Sequence, residues 1–209
     1  MSPNTLSIPL ARMPNVNFLE VAAGMRQHGW LSTAYYYVVD SNYRKSVDVS
    51  NWIKSWLDSE IGKVTMDEIP EFGGLANDAK ARKCLAWVRQ EVRYVGDKET
   101  WGASEFWALP HEILEKGQDD CDGFATLLYV TLKKNGFSDD TIFITCGSVV
   151  GGGHAYVVYV SPKDAVHYVL DGCYWSTDSL RVKYGENPNY FFGDKEWFRF
   201  NSSGAYVRK

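Results

Sequence analysis

Three apolar runs in the second half of the chain, Thr141–Val150, His154–Val160 and Val166–Leu170, are separated only by Gly151-Gly152-Gly153 and by Ser161–Ala165. A parallel crossover needs a dozen or more residues, so connections this short force neighbouring strands to run antiparallel, as hairpins. Just ahead of them lies a helix signature. Phe124, Ala125, Leu128 and Leu132 follow Cys121 at offsets of 3, 4, 7 and 11, which stacks them on one helical face. Asp119 and Asp120 supply N-cap chemistry, Lys133 and Lys134 oppose the dipole in the last turn, and Gly136 suits the left-handed position past the end. A one-faced helix followed by antiparallel strands predicts an α+β layered fold.

The 209-residue chain divides on this reading into a main domain over 76–209 and an N-terminal arm with a helical and strand extension over 1–75. Residues 1–17 carry three prolines and read as an extended arm. Tyr35–Val39 favours a strand by residue type. Val49, Trp52, Ile53, Trp56 and Leu57 recur at helical steps, with a start near Asp48 or Ser50. Pro70 and Gly73-Gly74 mark a break. Asn77 is a candidate cap for a helix burying Ala81, Cys84, Leu85, Val88 and Val92, and Pro110–Glu115 suits a short helix closed by Gly117. The aromatic runs Tyr190–Phe192 and Trp197–Phe200 read as strands or an edge packed on the core.

The formal charge is −4 and no basic block is present, which disfavours nucleic acid as a partner. No run of 18 apolar residues exists, and the N-terminus lacks the pattern of a signal peptide. The expected location is therefore cytoplasmic or, for a particle component, virion-associated. The four cysteines, at 84, 121, 146 and 173, form no Cys-x-x-Cys pair, so a zinc site of that type is not expected.

Cys121 stands apart because it falls in the first turn of a predicted helix. Unpaired N–H groups there stabilise a thiolate and a developing oxyanion. Asp120 and Asp122 oppose this, since their charge raises a thiol pKa unless it is offset by a cation or an imidazolium. Taken alone, a cysteine on such a helix is most often a buried small residue, and a histidine after three glycines is most often an edge residue. The pairing of partners sharpens the case. Centring the second hairpin on Ser161–Ala165 sets His154 opposite Asp171 on one sheet face, where a carboxylate can hold one imidazole nitrogen and leave the other for the sulfur. His28, His111 and His167 have no comparable arrangement.

The segment Trp107–Ala125, containing Gly117-Gln118-Asp119-Asp120-Cys121-Asp122-Gly123, resembles the nucleophile stretch of bacterial transglutaminase-like cysteine peptidases. Gly152-Gly153-His154-Ala155 and Tyr168-Val169-Leu170-Asp171 are similar to the strands that carry their histidine and acid. Trp87–Tyr94 resembles the helix preceding their catalytic loop. The order Cys, His, Asp and the separations of 33 and 17 residues fit that family. Asp119 stands where Gly is usual, and Gly172 where Pro is frequent. The resemblance spans about residues 78–175.

It implies a papain-like, transglutaminase-like core in which the nucleophile helix packs on an antiparallel sheet. Cys121, His154 and Asp171 are then the expected triad, with Trp107 and Gln118 as candidates beside the oxyanion. No cofactor is required, although Asp120 and Asp122 match positions that bind calcium in some relatives. The expected function is thiol-dependent hydrolysis of amide bonds in a protein or peptide, through an acyl-enzyme at Cys121. Two alternatives stand beside it. One is acyl transfer by a cross-linking transglutaminase. The other is a structural module, for instance of a bacteriophage particle, holding partners through residues 1–17 and the aromatic segments.

Overall fold

The computed structural model describes residues 41–149, 152–173, 183–184 and 196–207. The arm over 1–17, the strand expected at Tyr35–Val39 and the run Tyr190–Phe192 lie outside these residues.

The described chain opens with helices α1 (Ser41–Asp58) and α2 (Glu60–Glu68). The expected start of α1 near Asp48 is too late, because the helix is already formed at Ser41. Helix α2 was not expected. Its N-cap is Ser59, whose hydroxyl accepts from Gly62 N–H and donates to Trp56 O, so one side chain both ends α1 and starts α2. Helix α3 (Asn77–Glu91) buries Ala81, Cys84, Leu85 and Val88 as the periodicity requires, but Asn77 lies inside it and Ala76 is the N-cap, with no side-chain cap bond.

Strand β1 (Arg93–Tyr94), helix α4 (Asp97–Thr100), helix α5 (Pro110–Lys116) and strand β2 (Gln118–Asp119) follow. The parallel pair β1–β2 is invisible to strand patterning, being two residues long on each side. Gly117, at φ +62°, ends α5 in the left-handed region that lacks a penalty only for glycine.

Helix α6 (Cys121–Lys134) runs through the centre of the molecule. Almost all of it is buried, so it is a core helix and not a surface one. Strands β3 (Ile142–Val149), β4 (Gly152–Val160), β5 (His167–Leu170), β6 (Glu196–Asn201) and β7 (Gly204–Tyr206) form one sheet in the order β5-β4-β3-β6-β7. Every neighbouring pair is antiparallel, as the short connections dictate for β3–β4, β4–β5 and β6–β7. The helices cover one face of this sheet, and α6 packs against β4 and β3.

A single core joins Val49, Ile53 and Trp56 of α1 to Leu85 and Val88 of α3, Leu128 of α6, and Ile144, Val157 and Phe200 of the sheet. The packing therefore runs across residue 75. Ser50 Oγ donates to Asn201 O, and Trp56 Nε1 donates to His111 Nδ1, so α1 is tied to β6 and α5 by polar bonds as well. The opposite sheet face carries a smaller cluster of Tyr156, Val158 and Val169.

The register of the β4–β5 hairpin differs from the expected one by two residues. Val157 faces Leu170 and Val160 faces His167, so Asp171 falls across from Tyr156 and not from His154. The cause is the turn. Ser161 N–H donates to Val166 O, and Ala165, at φ +57°, donates its N–H to Ser161 O, closing a loop of Pro162–Ala165 whose centre lies one residue later than assumed. Because a shift of two preserves the face, His154 and Asp171 become diagonal neighbours on the same side of the sheet.

Candidate active site

The site forms where strand pairing stops. Val160 N–H donates to Thr141 O, so even-numbered residues of β4 bond to β3 and odd-numbered ones face β5. Strand β5 ends at Leu170, opposite Val157, which leaves the Ala155 N–H pointing at a vacated edge. The N-terminus of α6 lies against this notch, where Cys121, His154 and Ala155 line one cleft and the Ala155 N–H acts to lower the pKa of the Cys121 thiol. This settles how a helix on one sheet face reaches a histidine on the other: it does so around the open edge of β4.

His154, adjacent to that amide, is buried at 4% exposure, and its Nε2 lies 2.8 Å from Oδ2 of the fully buried Asp171. Asp171 is fixed in turn by the Cys173 N–H, which donates to Oδ1 at 2.8 Å. The loop carrying it is clamped twice. Arg89 donates to Gly172 O at 2.8 Å, and Gly172 lies so close to Phe124 that a Cβ there would be 2.5 Å from the ring. The Pro frequent at this position elsewhere would meet that ring.

Cys121, His154 and Trp107 line one cleft of about 310 Å³, together with Glu105, Asp120, Asp122, Tyr94 and Trp197. Of the residues singled out in the sequence, Gln118 is not among those lining it. In the β1–β2 pair Gln118 faces outward and accepts from Arg93, while Asp119, the next residue, faces in. Trp107 is buried at 4%, and its Nε1 has no hydrogen-bond partner in the structure; burial raises the Glu105 carboxyl, and the Trp107 N–H opposes this.

The thiol of Cys121 is pushed well up by burial and further by the charge of Asp120, against which the Ala155 N–H acts as the lowering influence. The electrostatic opposition expected from the flanking aspartates is therefore real. Asp120 is the N-cap, its carboxylate accepting from Asp122 N–H at 3.4 Å. Asp119 does not cap α6. It is fully buried, accepts from Trp101 Nε1 and from Asp120 N–H, both at 3.0 Å, and occupies the space beside Gly123, where a Cβ would be 2.2 Å from Asp119 Oδ2.

A fourth acidic residue completes the group of Asp119, Asp120 and Asp122 without any sequence signal. Asp97 comes from α4, is buried at 4%, and accepts from Phe106 N–H. Carboxylate oxygens of Asp97, Asp119, Asp120 and Asp122 lie within 4.8 Å of one another. Burial, with the neighbouring carboxylates, pushes Asp97 and Asp119 up to about 7. Asp122 is raised too, first by burial and then by Asp120. Asp97 Oδ1, Asp119 Oδ2 and Asp122 Oδ2 are buried with no hydrogen-bond partner in the structure. Nothing in spacing joins residue 97 to residue 119; the β1–β2 pairing does, through Val95 N–H to Asp119 O.

No helix among the described residues is long and apolar enough to cross a membrane. The chain is similar in fold to LapG of Legionella pneumophila, with a TM-score of 0.53, 19% identity, and 84% of this chain and 85% of that one covered. The calcium-bound form of LapG gives 0.52 at 19% identity, over 83% of this chain and 84% of that one, and the EGTA-treated form gives 0.53 at 19%, over 84% and 83%. At this identity the likeness is one of fold, an α+β core with an antiparallel sheet. A search of curated proteins finds no match. The model of the bacterial transglutaminase-like cysteine proteinases matches residues 76–190, more than half of the chain. The chain belongs to that family, and is a cysteine peptidase of the hydrolase class.

Proposed function

We propose that Cys121 is the nucleophile of this peptidase, that His154 is its acid and base, and that Asp171 orients the histidine. The observation that carries the assignment is the buried 2.8 Å contact between His154 Nε2 and Asp171 Oδ2, in a histidine that lines one cleft with Cys121. Nε2 faces Asp171, so Nδ1 is the nitrogen that exchanges a proton with the thiol. The carboxylate orients the ring, and the imidazolium formed when Nδ1 takes the thiol proton stabilises the thiolate against the burial and the aspartate charge that disfavour it.

The thiolate attacks a peptide carbonyl carbon. The carbonyl oxygen becomes an oxyanion beside the Cys121 backbone N–H, which as the first residue of α6 has no intrahelical acceptor. Trp107 Nε1–H, buried in the same cleft without a regular acceptor, is the second donor. His154 then gives its proton to the leaving amine. The resulting thioester is hydrolysed by water, whose proton passes to His154 as the thiolate is restored.

The four aspartates suit calcium, which takes six to eight oxygen ligands and tolerates irregular geometry. Asp97, Asp119, Asp120 and Asp122 would hold it, and the three orphaned buried oxygens support the fit. A bound calcium ion would supply positive charge beside the thiol. Calorimetric titration tests this independently of turnover: calcium binds the wild type, and Asp97→Asn, remote in sequence from Cys121, weakens it at least about tenfold.

A thiol-directed activity probe tests the catalytic assignment. Labelling of Cys121 is expected to exceed that of Cys84, Cys146 and Cys173, and to collapse in His154→Ala. Equal labelling of all four cysteines would remove the assignment.

A further inference from the structure

Cys173 has no part in the peptide chemistry just described, yet it lies beside the His154–Asp171 pair. One ligand-type atom from each of His154, Asp171 and Cys173, a nitrogen, an oxygen and a sulfur, lies within 4.8 Å of the other two. His154 and Asp171 are buried and Cys173 is partly exposed. The three are held in place before any ligand arrives. The Cys173 N–H binds Asp171 Oδ1, Arg89 binds Gly172 O, and Gly172 is seated against Phe124.

We propose that His154, Asp171 and Cys173 form a site for a thiophilic divalent cation of the zinc type, and that occupation of this site switches the peptidase off. Only the switching rests on the catalytic roles assigned above; the binding does not.

The donor set selects the metal. Sulfur, imidazole and a single carboxylate suit zinc, with bonds near ~2.0–2.3 Å, and suit calcium or magnesium poorly. Ligand atoms of one tetrahedral ion are then about 3.3–3.6 Å apart; Nε2 and Oδ2, 2.8 Å apart in the hydrogen bond, open by side-chain rotation to admit the ion, and the sulfur already lies within 4.8 Å of both groups. The fourth position is left to water. This set is distinct from the all-oxygen cluster of Asp97, Asp119, Asp120 and Asp122, so the two sites sort hard and soft cations between them.

The proton inventory explains the inhibition. The cation displaces the thiol proton of Cys173 and takes the lone pair of Nε2, the nitrogen turned to Asp171. The proton of the neutral ring is then confined to Nδ1. A ring metallated on one nitrogen and protonated on the other cannot accept the proton of Cys121, and Asp171 no longer favours an imidazolium.

Cobalt(II) reports the site through a thiolate-to-metal charge-transfer absorption. The intact chain carrying Cys121→Ala is titrated with cobalt(II), which removes the nucleophile as a ligand. One equivalent should produce that absorption. Adding Cys173→Ser, or separately His154→Gln, should weaken binding at least about tenfold, since losing a ligand costs no less than losing an outer-shell partner. Loss of the thiolate band is expected with Cys173→Ser. In parallel, zinc should inhibit the wild type, and Cys173→Ser should keep its basal activity while its half-inhibiting zinc concentration rises at least tenfold. Circular dichroism establishes that each variant is folded, and Cys173→Ala replaces the serine variant if that one is not. Absence of the band in Cys121→Ala, or a band that survives removal of Cys173, overturns the site. Equal zinc inhibition of the wild type and the Cys173 variant overturns the switch. The cobalt titration decides the binding even if the peptidase assignment to Cys121 fails.

Discussion

Cys121 is a small side chain at the mouth of a helix whose remaining length is packed into the core, and this governs what its removal does. Truncating the sulfur leaves the buried face of α6 intact, because Phe124, Ala125, Leu128 and Leu132 carry that packing. Cys121→Ala is therefore expected to abolish peptide hydrolysis while shifting stability by less than about 1 kcal/mol, read by a fluorogenic peptide assay beside chemical denaturation. Asp171 is the sharper case. Asn in its place keeps the shape, and its Oδ1 can still accept from the Cys173 N–H, but it cannot favour an imidazolium. On the order of 10²–10⁴-fold should be lost from kcat with little change in KM, as the loss of an orienting carboxylate generally costs. An unchanged kcat in Asp171→Asn would remove that residue from the mechanism. At this scale the sequence was informative for chemistry that recurs in order along the chain. The proposed triad of Cys121, His154 and Asp171 is a reading the sequence itself offers, whereas Asp97 is not, since no periodicity or spacing connects the first residue of α4 to a carboxylate that reaches it only after two short strands pair.

The elements that position these residues depend on close approach between backbone and ring. Gly172 is in contact with Phe124, at a distance that leaves no room for a Cβ. Gly172→Ala should lift the loop or displace the ring, costing about 1–3 kcal/mol by overpacking and pulling Asp171 away from His154. The drop in kcat should exceed what the stability loss explains. Phe124→Leu in the same chain should restore part of it, a coupling that a double-mutant cycle measures. A second element, the β6–β7 turn, is held by Asp139, which accepts from Tyr129, Ser202 and Ser203 and pairs with Lys133 at 3.0 Å. Burial alone would raise this carboxyl, but the hydrogen bonds from Ser203, Tyr129, Ser202 and Lys133 outweigh it and hold it below its ordinary value. A carboxylate depressed in the folded state adds stability above its unfolded pKa, near ~3.9, and that stability is lost as pH falls through the folded value. Asp139→Asn should thus lower stability by about 2–3 kcal/mol near neutrality and flatten the acid limb of a stability-against-pH curve measured by urea unfolding. Element type was legible where a pattern was long: α3, α5, α6 and the three consecutive strands. The hairpin register was not, because it turned on the backbone conformation of Ala165, a residue whose type gives no warning of a left-handed turn.

Across the whole molecule, the division expected at residue 75 meets a core that does not stop there. Trp56 is fully buried, belongs to the same cluster as the helices and strands that carry the site, and donates to His111 on α5, the short helix that ends just ahead of Cys121. Composition could not reveal this, because the apolar face of α1 is equally suited to an independent extension and to the side of a larger core. The two arrangements differ in cooperativity. A separate extension would melt by itself and leave the sheet and α6 folded; one continuous core ties the unfolding of α1 to that of the site. Trp56→Ala removes a large buried ring and leaves His111 without its donor, which should cost about 3–5 kcal/mol. In the wild type, far-ultraviolet circular dichroism and the reactivity of buried Cys84 and Cys146 toward a thiol reagent should report one shared transition in denaturant. In Trp56→Ala both should move together to lower denaturant. If the helical signal moved while the cysteines kept their wild-type protection, residues 41–69 would be a unit of their own, and the catalytic core would begin where the sequence pattern breaks at Gly73-Gly74.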